Sequence, residues 1–462
     1  MIVRVRYLLL MAGLFIVLLL FATACNGLNS NTHQDTPTDT HSDAPNNTLN
    51  DTHGDAPLTG TLTISQCFDF YYLEAAIERF KKIHPDVEIV LNKYDNDREK
   101  YKQQITTQLL AGVADDLLDA TAFSDIDLAA SGLLADFYPL MKNDPAFNED
   151  DYYMNVFEAM AYKNKLIVFP ACFIYLMIGV NNTFSSELTN KFRQYDKITF
   201  RELLDIYNSI EDKGNRSISK NIDALSATYN NFNAFVNLEN KTCSFNTPKF
   251  IQFITDIKNG TNPQKIANGE IGFTYGFNYF SKADLEVYAK QYFFADVESN
   301  KYQIFLPNAE EEILTHFIPL VSENGKANVI PIKRFCINEA SKNKELAWEF
   351  VKYITTPEAN ERVFIPAFPV HKGLFKTFAD AELTEYIDYF RREFMAVDGE
   401  TADVVVQVKA ILEAYNIMPM DYQPYIEFEA IPEVIRSFYA GVLTAEQAAS
   451  ELQNKMSLYL ME

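Results

Sequence analysis

Residues 61–91 read TLTISQCFDFYYLEAAIERFKKIHPDVEIVL, and three hydrophobic periodicities follow one another within them. Residues 61–65 alternate apolar and polar, the period of a strand with one buried face. Residues 73–83 place Leu73, Ala76, Ile77, Phe80 and Ile83 at helical spacing, and His84-Pro85 ends that helix. Val87, Ile89 and Leu91 then return to alternation. Strand, helix, strand in this order calls for a parallel pair with the helix packed on its face.

The pattern continues outward. Residues 100–111 predict a helix with Ile105, Leu109 and Leu110 inward, closed by Gly112; residues 117–120 predict a third strand, and 128–134 a short helix broken by Gly132. The alternation returns late in the chain. Residues 334–338 are strand-like, Ser341 is placed as an N-cap, and 344–355 predict a helix with Glu345 in its first turn and Pro357 beyond its end. Residues 445–460 form a final amphipathic helix with Ala448, Leu452, Met456 and Tyr459 on one face. The folded part, about 400 residues, is long for one core and suggests two lobes.

The front of the chain settles the compartment. Arg4 and Arg6 precede an apolar run over 7–21, followed by Ala22-Thr23-Ala24-Cys25. A basic start, an apolar segment shorter than a membrane span and a small-residue cleavage site make a secretory signal peptide over 1–24. The cysteine behind the small residues resembles the lipobox of bacterial lipoproteins, with Ala22 where that motif carries a larger aliphatic residue; the resemblance implies lipidation of Cys25. Residues 25–59 are Asn, Thr, Asp, Ser, His and Pro with almost no large apolar side chain, and repeat DTHSDAP at 39–45 as DTHGDAP at 51–57. Such a segment cannot bury enough surface to offset ordering and reads as a disordered linker. His33, His41 and His53 beside Asp could hold a metal loosely, but composition favours a solvated spacer.

Net charge is −23, and −25 once Arg4 and Arg6 leave with the signal. That sign argues against nucleic acid and against polybasic docking to lipid. Cys67, Cys172, Cys243 and Cys336 show no CxxC spacing, and buried free thiols are the default. Neither GxSxG, HExxH, GxxxxGK[ST] nor GxGxxG occurs. His84 and His371 lack an evident partner, Asp95-Asn96-Asp97 lacks the ligand spacing of a calcium loop and reads as a turn, and Asp115-Asp116 reads as a turn before a strand. No cofactor is called for.

The assembled pieces resemble the extracellular solute-binding proteins, family 1, of carbohydrate ABC importers, the maltose-binding-protein type. The stretches that carry the resemblance are AAIERF at 75–80 with His84-Pro85-Asp86-Val87, LLAG at 109–112, LAASGLLAD at 128–136, KLIVFP at 165–170, Gly179-Val180-Asn181, SKNKELAWEF at 341–350, Phe368-Pro369-Val370 and the last helix. Their order spans roughly residues 60–460. The resemblance implies a two-lobed α/β fold of periplasmic-binding-protein type II. Its lobes would comprise 60–171 with 329–365 and 172–328 with 366–462, and its cleft would lie at the hinge. It further implies a monomer held on the extracellular face of the membrane by its lipid, handing a solute to permease subunits after lobe closure.

A sugar site needs flat aromatic faces and a few polar side chains, in loops after strand C-termini. Candidates are Phe68, Asp69 and Tyr71 after the first strand, Phe123 and Asp125 after the third, and Tyr175 at the presumed first crossing. Tyr229 lies in an Asn-rich loop, Tyr275, Phe277 and Tyr279 in a Gly-bounded aromatic run, and Phe368 near the last crossing. Tyr72, Phe173, Phe232 and Trp348 read instead as core. Two other functions compete with capture for an importer. One is a lipid-anchored hydrolase or lyase acting on glycans, which needs only two carboxylates; the other is a two-lobe sensor or adhesion lipoprotein.

Overall fold

The computed structural model describes residues 57–67, 71–94, 96–123, 128–129, 131–181, 190–211, 228, 230–260, 294–298, 314–360, 368–377, 420–422 and 430–461. The signal segment with Cys25, the linker, and Phe68, Asp69, Asp125, Tyr229, Tyr275, Phe277 and Tyr279 lie outside them. The strands are β1 (Gly60–Gln66), β2 (Val87–Lys93), β3 (Leu117–Asp119), β4 (Phe169–Asn181), β5 (Ile198–Thr199), β6 (Val236–Asn237), β7 (Thr242–Cys243), β8 (Phe294–Glu298), β9 (Leu314–Val321), β10 (Ala327–Ile337), β11 (Phe368–Pro369) and β12 (Met420–Tyr422). The helices are α1 (Tyr71–Ile83), α2 (Arg98–Leu110), α3 (Phe137–Asn143), α4 (Met154–Met160), α5 (Phe200–Asn208), α6 (Phe232–Phe235), α7 (Pro248–Gly260), α8 (Lys344–Tyr353), α9 (Lys372–Thr377), α10 (Ala430–Tyr439) and α11 (Ala445–Met461).

β1 lies between β2 and β3, parallel to both. On the far side of β3 the sheet turns antiparallel: β10 runs against β3 and β4, and β4 runs against β8, β9 and β11. An all-parallel sheet is therefore only half the picture. β10 enters this sheet on its way back from the second half of the chain, so its direction is reversed.

Local rules account for the ends of the helices. Asp97 caps α2, its side chain accepting from the Lys100 N–H at 3.0 Å, so part of the Asp95-Asn96-Asp97 turn serves as a helix start. Gly112, at φ 68°, closes the same helix, with Val113 N–H returned to the Gln108 carbonyl at 2.9 Å. α2 buries Tyr101, Ile105 and Leu109, whereas Leu110 is 72% exposed. The expected inward Leu110 sits one residue, about 100°, round the helix from Leu109 and points to water. Ile83, at the end of α1, is likewise half exposed. Ser341 does not cap α8; Asn343 holds that position without a side-chain cap bond.

Buried apolar side chains fall into two clusters. The first gathers Leu62, Ile64, Phe80, Tyr101, Phe137, Phe169, Phe173, Trp348 and Phe350, among others. Trp348 packs against Phe137, Phe147 and Phe169, with centroids 5.5–6.1 Å apart, and donates to Asp144 Oδ2 at 2.9 Å. The second gathers Phe192, Phe200, Phe232, Phe250, Phe253, Ile435 and Leu452. β4 gives Phe169 and Phe173 to the first and Ile178 to the second; β9 gives Ile318 and Leu320 to the second and Val321 to the first. Phe368 and Val370 join the first cluster, although residues from 366 onward are expected with the second. They are drawn there by β11, which pairs with Phe173 and Cys172 of β4.

Asp116 ties the first cluster's edges together. Its Oδ2 accepts from Thr63 N–H and Thr63 Oγ1, both at 2.9 Å, and its Oδ1 accepts from Ser341 Oγ at 2.6 Å and Asn343 Nδ2 at 3.3 Å. One carboxylate thus joins β1, the turn before β3 and the approach to α8. Asp116→Ala is expected to lower unfolding free energy by about 2–3 kcal/mol, the scale of losing hydrogen bonds to a charged group and stranding their donors. Urea denaturation would measure it, and an unchanged midpoint would contradict the assignment.

Candidate binding site

β1 and β3 run parallel, so their C-terminal ends, Gln66 and Asp119, emerge side by side at one edge of the sheet, where open α/β sheets bind ligands. Asp119 organises that edge. Its Oδ2 accepts from Cys67 N–H at 3.0 Å and its Oδ1 from Thr121 N–H at 2.9 Å, so one carboxylate holds the first turn of both outgoing segments. Tyr101, reaching across from α2, donates its hydroxyl to the Asp119 carbonyl at 3.0 Å and lies 2.9 Å from Ser65 Oγ. Burial, reinforced by Asp119, pushes the Tyr101 phenol well above its ordinary value. The same two causes push the Cys67 thiol to about 12, against the pull of Arg98. That direction favours the protonated thiol at neutral pH.

Beyond β3 the backbone is held by guanidinium groups. Arg334 of β10, 2% exposed, donates from Nη2 to the Thr121 carbonyl at 3.1 Å and the Phe123 carbonyl at 3.4 Å. Arg98 donates from Nε to the intervening Ala122 carbonyl at 3.2 Å. Beside Arg334, Lys333 is half-buried, and burial draws its ammonium down to about 8, outweighing the opposite pull of Cys172 and Asp119.

Gln66 completes the edge and is its least satisfied member. Its side chain is 2% exposed, yet among the described residues neither Nε2 nor Oε1 has a hydrogen-bond partner, and the Thr121 hydroxyl has none there either. Each such group costs about 1–3 kcal/mol where nothing replaces its water. Buried groups of this kind call for a further partner, a water or a ligand.

The expected site residues fare differently. Phe123 is 5% exposed and packs edge-on to Tyr101 at 5.7 Å; Phe368 is 1% exposed, with its ring 6.1 Å from Phe173. Both fill the first core instead of offering a face to solvent. Tyr71 opens α1, and Tyr175 lies in β4 just after the pairing with β11. Gln66, Thr121, Lys333, Arg334 and Arg98 escape a search keyed to aromatics. The visible signal was two adjacent cations inside the apolar strand IPIKRFCI at 330–337 and a Gln closing the alternation of 61–65. Trp348, Phe173 and Phe232 are core, as expected, at 3%, 0% and 2% exposure.

A family model described as bacterial extracellular solute-binding protein matches residues 69–361. No curated protein matches the sequence. Among solved structures, an extracellular solute-binding protein family 1 member from Alicyclobacillus acidocaldarius aligns with a TM-score of 0.61 at 12% identity, over 88% of this chain and 100% of that one. The sugar-binding protein MalE from Xanthomonas citri aligns at 0.60 and 14%, over 87% and 98%. A periplasmic oligogalacturonide-binding protein from Yersinia enterocolitica aligns at 0.59 and 11%, over 87% and 99%. At these identities the likeness is one of fold: the two-lobed α/β architecture of periplasmic binding proteins.

The unsatisfied amide makes a measurable prediction. Gln66→Met keeps the volume and removes both stranded atoms, so the ligand-free protein should gain about 1–2 kcal/mol of stability while solute binding weakens. A fall in the apo melting temperature would show that Gln66 is paired after all.

Proposed function

The chain belongs to the bacterial extracellular solute-binding protein family, and from that premise we propose that it captures a mono- or oligosaccharide for an ABC-type importer. Capture proceeds by closure of the lobes on the solute, and lipidated Cys25 tethers the protein to the extracellular face of the membrane. The observation that carries the reading is Gln66: a side chain 2% exposed with both amide heads unpartnered, at the shared C-terminal edge of two parallel strands. Support for a sugar comes from relatives of the same fold that bind sugars or oligogalacturonides by name. Hydroxyl-bearing rings suit an edge lined by an amide and a hydroxyl, which donate and accept, and by cations, which donate.

Around this edge we place Asp69, Tyr71, Asp125 and Tyr175 as polar or aromatic contacts from the first lobe and the crossing. Phe68, Tyr229, Tyr275, Phe277 and Tyr279 supply stacking surfaces. Closure would bring such groups to a solute already held by Gln66, because a ligand favours whichever arrangement gives it more contacts. The permease subunits of the importer would then receive the closed form.

A thermal-shift screen of mono- and oligosaccharides tests the capture reading, since a ligand at a hundred times its Kd stabilises the native state by about 2.7 kcal/mol. At least one saccharide should raise the melting temperature by several degrees; silence across the screen would move the reading to another solute class. Tethering is separable from capture. Cys25→Ser in the full-length chain should move the protein from the membrane fraction to the soluble fraction and leave solute affinity unchanged, and continued membrane association would count against the lipid anchor.

A further inference from the structure

The chain's last passage beside β4 ends on a histidine for which the sequence offers no partner. β11 pairs with Phe173 and Cys172 of β4. Val370 N–H then donates to the Ala171 carbonyl at 3.2 Å, and the Val370 carbonyl accepts from Tyr153 N–H at 3.0 Å. His371 forms an antiparallel bridge with Tyr152, and α9 begins at the next residue. Among the described residues, Val370 is the last member of the first core, and the chain next joins a core at Ile431 of the second. His371 therefore stands where the chain leaves one core for the other.

The imidazole is held on several sides. Its Nδ1 accepts from Leu374 N–H at 3.2 Å, in the first turn of α9. The Tyr152 ring meets it edge-on, with centroids 4.9 Å apart and planes at 79°. The backbone of Gly373 lies against it so closely that a Cβ there would come within 2.8 Å of its Cε1 and 3.1 Å of its Nδ1. Tyr152 in turn places its hydroxyl 3.4 Å from Thr355 Oγ1, just past α8. Only a ring nitrogen without a proton can accept the Leu374 N–H. A proton on that nitrogen turns a hydrogen bond into two opposed donors.

We propose that His371 is a proton-operated clasp: neutral, it holds α9 to the segment at 152–153; protonated, it releases α9 and loosens the last crossing between the cores. The device works alike whichever solute is captured. Burial lowers the imidazole pKa from its ordinary 6.5, outweighing the opposite pull of Asp151, Glu358 and the residue's own carbonyl. Asp151 comes from the turn before Tyr152, where Asn148 Nδ2 donates to it at 3.1 Å, and Glu358 comes from beyond α8. Lys372 follows on α9 and turns away, donating to the Asp150 carbonyl at 3.1 Å and lying 5.6 Å from the Tyr153 ring centre. Burial pushes the Tyr152 phenol up to about 12, so it stays neutral through the acid range. A base whose pKa is lowered by folding contributes its stability in full above 6.5 and loses it as pH falls through the lower folded-state value.

Hydrogen exchange on the intact protein tests the clasp, followed in peptides covering residues 371–377 and corrected for the intrinsic effect of pH. Between about pH 7.5 and about pH 5, protection of the wild type should fall on the order of tenfold. His371→Asn supplies a side-chain oxygen that takes the same N–H without titrating, and its protection should hold at both pH values. Gly373→Ala pushes the ring aside, so its protection should be low already at neutral pH. Circular dichroism checks that each variant folds. Wild-type protection that does not change with pH, or that falls equally in His371→Asn, overturns the proposal. So does a folded Gly373→Ala protein as well protected as the wild type.

Discussion

The antiparallel pairing of β4 with β10 is the constraint on which the rest of the structure depends. β4 contributes Phe169 and Phe173 to one core and Ile178 to the other, so the two cores are joined by continuous strand, not by a slack linker. β10 returns beside it, with Phe335 opposite Phe169, Pro331 opposite Phe173 and Ile330 opposite Ile174. Two prolines fall in this pair, Pro170 in β4 and Pro331 in β10, and each removes a donor from the ladder. The register shifts lie between them, at Lys333. Proline inside a sheet is tolerated at edges and bulges, and here the bulge accommodates it. The ladder is therefore interrupted inside the first core, between Phe169 and Phe173 of β4, before the strand reaches Ile178 of the second.

Carboxylates provide a second kind of scaffold. Asp116 and Asp119 lie at the two ends of β3, and each is 8% exposed or less. Asp116 gathers hydroxyls, an amide and a backbone N–H from two parts of the chain, Thr63 and residues 341–343, and Asp119 gathers the backbone N–H groups of Cys67 and Thr121. Ionised acceptors make strong hydrogen bonds to several donors at once, so one short side chain can fix the relative positions of loops that hydrophobic contacts leave free. Asp116 and Asp119 thus serve as loop fasteners.

Much of the fold could be read from residues 61–137 and 334–355, and the reason is physical. Helical and strand periodicities report which side faces a core, and Leu62, Ile64, Phe80, Ile105 and Phe350 all lie at 1% exposure or below. The sequence pattern misleads at Leu110, an apolar neighbour of a core residue that is 72% exposed, and at Ser341, which lies near α8 without capping it. Hydrophobic residues may stand exposed at little cost, and a hydroxyl goes to the strongest acceptor within reach; Ser341 finds Asp116 instead of α8. The reversal of β10 was equally hidden, because alternation carries no sign of direction.

The candidate site was less legible for a deeper reason. Aromatics were sought because sugars stack on them, yet Phe123 and Phe368 are worth more to the core, each covering neighbouring rings. Burial is the default use of a large apolar side chain, so its presence in a cleft loop says little about binding. A buried polar group has no such default. Gln66, Lys333 and Arg334 lower the stability of the ligand-free protein unless something compensates them, and a sequence retains such residues only against that pressure. Arg334 finds its compensation in the carbonyls of Thr121 and Phe123, which makes it part of the frame. Gln66 finds none within the described structure. The residue that the fold leaves unsatisfied, at the edge where the fold permits access, is a better guide to the ligand than the residues that resemble one.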